Sequence, residues 1–263
     1  MDLGLKGRTA FITGASRGIG KTIATALAAE GVNLGLFGRD MARCNAVAAE
    51  LKSKHPALRI AVIEMDIADR HAIKPAVEKA IAELGGVDIL VNCAGGAHRG
   101  RLADIPDHLW EEYFAVKPFG LIRMSRETMP YLKKSTQGRV IHISGTRGRE
   151  PLGVQVMSGP INLGTLSITK AMANEFGPDG ITVNAICPGS TDTGRWTELV
   201  GIRAKEHGIS IEEAEKQLVG DVPMGRVVKP EDVADLAVFL ASSRAGMITG
   251  CAINVDGGRT RGI

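Results

Sequence analysis

The feature that most limits how this chain can fold is Thr13-Gly14-Ala15-Ser16-Arg17-Gly18-Ile19-Gly20. An apolar run, Thr9-Ala10-Phe11-Ile12, leads into it, and Ile23, Ala24, Leu27 and Ala28 follow at helical spacing. Strand, glycine-rich turn and helix in that order set the amino terminus of a helix at the end of a strand. Its free N–H groups and positive dipole end attract a phosphate. Gly14 suits a sharp turn off the strand, Gly18 leaves room for a pyrophosphate, and Gly20 lets helix and strand approach. The spacing is Gly-x-x-x-Gly-x-Gly rather than Gly-x-Gly-x-x-Gly, and ordinary turns also carry such glycines, so the rest of the chain decides.

That rest alternates strand and helix. Residues 32–37, 59–64, 87–91, 138–144, 181–186 and 251–255 read as further strands, and 41–54, 163–176 and 230–240 as helices. Residues 69–84 read as a helix with Asp69 as N-cap and Gly85-Gly86 after its end. Residues 109–132 form a long helical stretch with a kink at Lys117-Pro118, because proline lacks an N–H and biases its predecessor away from helical geometry. His142 alternates with apolar neighbours and reads as a packed strand residue. The pattern predicts an α/β protein with a doubly wound, parallel seven-stranded sheet in a three-layer α/β/α arrangement. It is expected to be one domain over 1–263, with a polar helical lid at about 194–220.

At 263 residues the chain can bury a large core, and its net charge of +3 implies neither a nucleic-acid nor a membrane partner. Cys44, Cys93, Cys187 and Cys251 are far apart and form no Cys-x-x-Cys pair, so neither a disulfide framework nor a metal site is expected, and a reducing cytoplasm fits. Residues 1–6 are too few for a signal peptide, and no apolar run reaches membrane-spanning length.

The second strand runs into Gly38-Arg39-Asp40. In a dinucleotide-binding sheet the adenosine ribose lies here, and an acid at the strand end accepts from a free 2′-hydroxyl. Here that position is Gly38, and the Arg39 guanidinium, with Arg17 in reach, suits a 2′-phosphate. NADP is therefore expected over NAD, with Asp40 as the contrary sign.

Taken together, the chain resembles the single-domain branch of the short-chain dehydrogenase/reductase family over essentially its whole length. The resemblance rests on the turn from Thr13 to Gly20, Asp66, the Asn92-x-Ala94-Gly95 element, Asn184-x-x-x-Pro188-Gly189-x-x-x-Thr193, and the tail from Gly250 to Gly258. It implies a Rossmann-type sheet and hydride transfer between nicotinamide and a carbonyl or alcohol. The implied cofactor shell is Gly14, Ser16, Arg17, Gly18, Ile19, Gly20, Arg39, Asp66, Ile67, Asn92, Ala94, Gly95, Pro188, Gly189, Thr191 and Thr193. It also implies a homo-oligomer, a dimer or tetramer, with Gly164, Leu166 and Ala171 on a packing face.

The family's Asn-Ser-Tyr-Lys tetrad is missing. Lys117 stands at the asparagine position, Gly145 at the serine position with Ser144 before it, Ser158 at the tyrosine and Asn162 at the lysine. The one Tyr-x-x-x-Lys in the chain, Tyr113 to Lys117, lies on the long helix before the fifth strand and not at the family's position after it, and Tyr113 and Tyr131 are expected away from the site. The replaced positions Lys117, Ser144, Ser158 and Asn162 are the catalytic candidates, with Lys117 able to fill the space of the missing lysine. Ser158 also reads as an N-cap before Gly159-Pro160. His98, Arg99, Arg101, Arg147, Arg149 and Arg195 follow strand ends and suit an anionic small-molecule substrate, and Trp196 either covers the site or packs the lid. Three functions remain open: an oxidoreductase with a relocated proton donor, a lyase, hydratase or isomerase on a β-oxygenated acid, and a cofactor-binding pseudoenzyme.

Overall fold

The central strands are short and buried because helices cover both faces of the sheet, whereas the edge strands Ile60–Glu64 and Ala252–Val255 are only partly covered. The computed structural model describes residues 2–96 and 98–262. Met1, Ala97 and Ile263, included in the expected domain, lie outside the described residues. The strands are β1 (Thr9–Thr13), β2 (Asn33–Gly38), β3 (Ile60–Glu64), β4 (Ile89–Asn92), β5 (Arg139–Ile143), β6 (Thr182–Pro188) and β7 (Ala252–Val255). They form one parallel seven-stranded sheet in the order β3-β2-β1-β4-β5-β6-β7. The order reverses between β1 and β4, which opens a crevice at their carboxyl ends.

On one face lie α1 (Gly18–Ala29), α2 (Met41–Lys54) and α9 (Pro230–Ala241), burying Ile23, Leu27, Val47, Leu51, Val233 and Ala237 in one core, with α9 against α1, β5 and β6. On the other lie α3 (Ile73–Leu84), α5 (Gly120–Leu132) and α6 (Ser158–Phe176), burying Val77, Met124, Met129 and Met172 over Phe11 and Leu90. Two connections carry the remaining helices. α4 (Asp107–Phe114) precedes α5, and α7 (Gly194–His207) with α8 (Ile211–Val219) forms the helical excursion after β6. Asp40 caps α2, accepting from Arg43 N at 3.0 Å, and Ser210 caps α8, accepting from Glu213 N at 3.1 Å.

Three local expectations are corrected. The helix expected from Asp69 starts at Ile73, because Asp69 spends its carboxylate on a turn, accepting from His71 N at 2.8 Å. The helix expected from 163 starts at Ser158, with Pro160 in the first turn, where its missing N–H costs nothing. The kink at Lys117-Pro118 is instead a π-helical turn, Ala115–Phe119, which joins α4 to α5 without a break. The wider turn accommodates the proline ring and the lost N–H within a continuous helix.

Gly20 sits where the helix meets the turn. A Cβ there would lie 2.2 Å from Gly14 O and 2.8 Å from Gly14 C, both backbone atoms. Gly20→Ala is expected to lower stability by about 1–3 kcal/mol through overpacking, read as a lower urea midpoint at unchanged m-value.

Candidate active site

The floor of the crevice is tied together by one hydroxyl. Thr13 Oγ1, at the end of β1, accepts from Cys93 N and from Ala94 N, both at 3.0 Å. This fixes the segment after β4 beside the glycine turn. Gly14 (φ 71°) and Gly18 (φ 53°) both adopt left-handed backbone. A Cβ on Gly14 would lie 3.0 Å from Ala94 Cα, and one on Gly18 would lie 3.4 Å from Thr193 Cγ2. No side chain caps the first turn of α1, so its N–H groups remain free for an anion. Arg17 is exposed beside this turn, and Arg39, also exposed, lies 3.8 Å from Asp66. A 2′-phosphorylated dinucleotide fits this arrangement: an uncapped helix terminus, glycine clearance and two solvent-facing guanidiniums.

Some residues expected in the cofactor shell face elsewhere. Asn92 is buried and donates from Nδ2 to Ser125 Oγ at 3.1 Å. Asn184 joins β6 to the approach of β7, donating to Ile248 O at 2.6 Å and accepting from Cys251 N at 3.1 Å. Pro188, Gly189 and Thr191 sit at the carboxyl end of β6, where Gly189 N donates to Val255 O at 2.9 Å and Thr191 Oγ1 to Gly189 O at 3.1 Å. Thr193 is the N-cap residue of α7.

The candidate catalytic region is built around a buried lysine. The π turn directs Lys117 inward, and its stem packs under Gly95, where a Cβ would lie 2.9 Å from Lys117 Cδ. Lys117 Nζ donates to Asn162 Oδ1 at 2.7 Å and to Ser144 O at 3.0 Å. These use two of its three donor hydrogens. Burial pulls its pKa down to about 8 from the ordinary 10.5. The Cys93 thiol nearby is pushed up to about 12 by burial, against the pull of Lys117 and Arg195. Against the tetrad that the resemblance implies, with an asparagine on the helix after β4 and a lysine on the helix after β5, Lys117 and Asn162 stand in exchanged order.

The other candidates separate. Ser144 turns its hydroxyl to Asn162 O at 3.1 Å, so only its carbonyl faces Lys117. Ser158 is the first residue of α6 rather than its cap: Met157 holds the N-cap position, and no side chain caps that end. His142 is fully buried, its Nδ1 2.9 Å from Thr169 Oγ1, and burial lowers its pKa to about 3. Tyr113, expected away from the site, packs with Trp110 and Leu109 against Met157 and Ile161, which flank Ser158. Its ring centroid lies 6.5 Å from that of His98, whose N–H donates to Met157 Sδ at 3.4 Å. The continuous helix through the π turn lays α4 over the start of α6.

The arginines also sort. Arg195 Nη2 donates to Gly95 O at 3.2 Å, directly over the crevice. Arg149 points to β7, donating to Ala252 O at 2.7 Å. Arg147 is half-buried and bonds Gln155 Oε1 at 3.1 Å, whereas Arg99 and Arg101 are exposed. Trp196 packs between α7 and α8: it is buried with Val200, Ala204 and Ala214, and its indole N–H donates to Glu215 Oε1 at 3.2 Å. Arg259, in the tail after β7, has no motif to mark it in the sequence, yet it reaches Ser190 Oγ at 3.1 Å. Among the described residues there is no cluster of three or more His, Cys, Asp or Glu able to hold a metal, and no helix long and apolar enough to cross a membrane.

Residues 14–260 match the family model described as enoyl-(acyl carrier protein) reductase. The chain is 34% identical over 255 residues to D-beta-hydroxybutyrate dehydrogenase of Cupriavidus necator, covering 97% of this chain and 98% of that protein. It superposes with a TM-score of 0.95 on L-sorbose reductase from Gluconobacter frateurii complexed with NADPH and L-sorbose, at 30% identity and full coverage of both chains (100% and 100%). A NADPH-bound short-chain oxidoreductase from Pseudomonas aeruginosa PAO1, described as containing an atypical catalytic center, superposes at 0.90 with 28% identity, covering 97% of this chain and 98% of that one.

Lys117 titrates near 8 in the fold and near 10.5 when unfolded, so between these values the unfolded chain holds more protons. Stability relative to a Lys117→Met variant is therefore expected to rise from pH 8 to pH 10.5 and to be flat below. Urea midpoints of both proteins across that range test it.

Proposed function

The chain belongs to the short-chain dehydrogenase/reductase family, and from that premise we propose that it is an NADP(H)-dependent oxidoreductase. Its substrate is a carbonyl or enoyl compound bearing an anionic group, and Lys117 is the relocated proton donor. The reading rests on one observation: a buried ammonium held 2.7 Å from Asn162 Oδ1, with its pKa drawn down to about 8. A lysine of that acidity carries a proton at neutral pH and releases it readily, the property a general acid needs.

The free N–H groups of α1 with Gly14, Ser16, Gly18, Ile19 and Gly20 hold the pyrophosphate, and Arg17 and Arg39 take the 2′-phosphate. Asp66 and Ile67 border the adenine. Ala94 and Gly95 form the floor, and Pro188, Gly189, Thr191 and Thr193 hold the nicotinamide end. When bound, NADPH supplies the hydride. Asn162 and Ser144 O keep the Lys117 ammonium in place, and its third N–H is left to meet the substrate oxygen. Arg195 closes over Gly95 from the lid, which is α7 with α8, and helps exclude water. The NADPH-bound short-chain oxidoreductase described as containing an atypical catalytic center supports redox chemistry at an altered site. The whole operates as one domain in a homo-oligomer.

Loss of NADPH absorbance against a panel of ketones, enones and keto acids tests the activity. Turnover is expected for at least one class, and NADPH binding without oxidation of any would overturn it. Lys117→Met is expected to lower kcat by about 10² to 10⁴ while NADPH still binds. In the reductive direction kcat/KM is expected to fall as pH rises through about 8, and in the oxidative direction to rise through the same value. Identical profiles in wild type and variant would exclude Lys117 as the donor. Arg39→Ala is expected to weaken NADPH about ten-fold and to leave NADH unchanged, read by fluorescence titration.

A further inference from the structure

We propose that Arg147, Arg259 and Arg99 form a subsite for a carboxylate or phosphate group carried on the substrate, separate from the arginines that face the nucleotide. The proposal rests on the oxidoreductase reading and deepens it. These three residues come from three different segments, and named bonds join them. Gly100 N donates to Val154 O at 3.1 Å and pairs in a bridge with Gln155, whose Oε1 in turn holds Arg147 Nε at 3.1 Å. Arg147 Nη1 bonds Glu150 O at 3.3 Å, and the Glu150 carboxylate accepts from Arg261 N of the tail. That tail is pinned by Asp256, which accepts from Gly258 N at 3.0 Å and Thr260 N at 2.9 Å. Its Arg259 reaches Ser190 Oγ at 3.1 Å, beside the carboxyl end of β6.

Two acids act on this cluster: Glu150, which accepts from Arg261 N, and Glu206, whose charge acts on Arg99. Three guanidiniums against these two carboxylates leave an excess of positive charge. Among the described residues none of Arg99, Arg147 and Arg259 lies within 4.0 Å of a carboxylate oxygen. Burial lowers the pKa of Arg147, and the neighbouring charges of Arg259 and Arg99 add to the fall, against Glu150. Like charges gathered beside a half-buried guanidinium repel, and an anion seated among them relieves that repulsion and gains charge-assisted hydrogen bonds. Arg147 lies two residues beyond Gly145, at the end of β5 where Ser144 O meets Lys117. Arg17 and Arg39 follow β1 and β2, across the switch point. An anion held by the cluster would therefore sit on the substrate side of the crevice.

The test titrates succinate and, separately, inorganic phosphate into the NADPH-saturated chain by calorimetry, with the glycine turn filled. Both titrations are repeated without nucleotide. At least one anion is expected to bind at millimolar concentration or below. Arg147→Gln with Arg259→Gln is expected to weaken it by about ten-fold for each guanidinium removed, and Arg70→Gln, at an exposed position just before α3, to leave it unchanged. Preference for succinate identifies a carboxylate substrate, and preference for phosphate a phosphorylated one. Arg259→Gln alone, which gives up one bond to Ser190, serves if the double variant does not fold. Binding of neither anion, or equal binding by the variants, would overturn the subsite. A chain that fails to take up NADPH would remove the redox reading alone, because the nucleotide-free titrations still compare wild type with the arginine variants.

Discussion

Strands that all point the same way commit a protein to chemistry at one edge. In this sheet helices cover both faces, and residues such as Phe11, Leu90 and Val183 bury apolar side chains beneath them. Each strand's carboxyl end must therefore release the chain into a loop, and those loops converge on one rim. The glycine turn after β1, the Asn92–Gly96 segment after β4, the Thr146–Gly148 turn after β5 and the α7–α8 excursion after β6 share that rim. Thr13 Oγ1, with its two backbone donors, fixes where the first two of them meet.

Against that rim, the buried ammonium is the costly element. A lysine in an apolar setting is tolerated only when its hydrogens find acceptors. Asn162 Oδ1 and Ser144 O provide them, and Gly95 clears the space for the stem. The exchange of lysine and asparagine between two helices keeps the cation in the neighbourhood while changing which element supplies it. Ser158 stands at the tyrosine position, and in the proposed chemistry the Lys117 cation takes the acid's role.

Much of the scaffold was legible because two-sided burial leaves an unmistakable trace: each β-strand reads as a short apolar run, and each crossover helix shows a 3.6-residue stripe. The sites of error share a cause. Asp69 is a good cap in the abstract, yet a local turn claimed its carboxylate first. Lys117-Pro118 signals interruption, but whether a helix breaks or widens depends on packing around it. Tyr113 could not be set near Met157 from spacing alone, since that contact depends on the winding between them. Arg259 lies in a tail with no periodicity, and its arrival at Ser190 follows from the Asp256 turn. Contacts that close over long separations, such as Lys117 with Asn162, leave no local trace.

The π turn at Ala115–Phe119 has a consequence for how the helical rod is phased. One residue advances an α-helix by about 100°, so a wider turn offsets everything before it from everything after it by roughly that angle. The flank of α4 bearing Leu109 and Tyr113, and the flank of α5 bearing Leu121 and Met124, can therefore obey separate amphipathic rhythms within one rod. Which side chain enters the slot beneath Gly95 is decided by arithmetic along the backbone. Removing a single position there would leave composition almost untouched and deliver a different side chain to that slot.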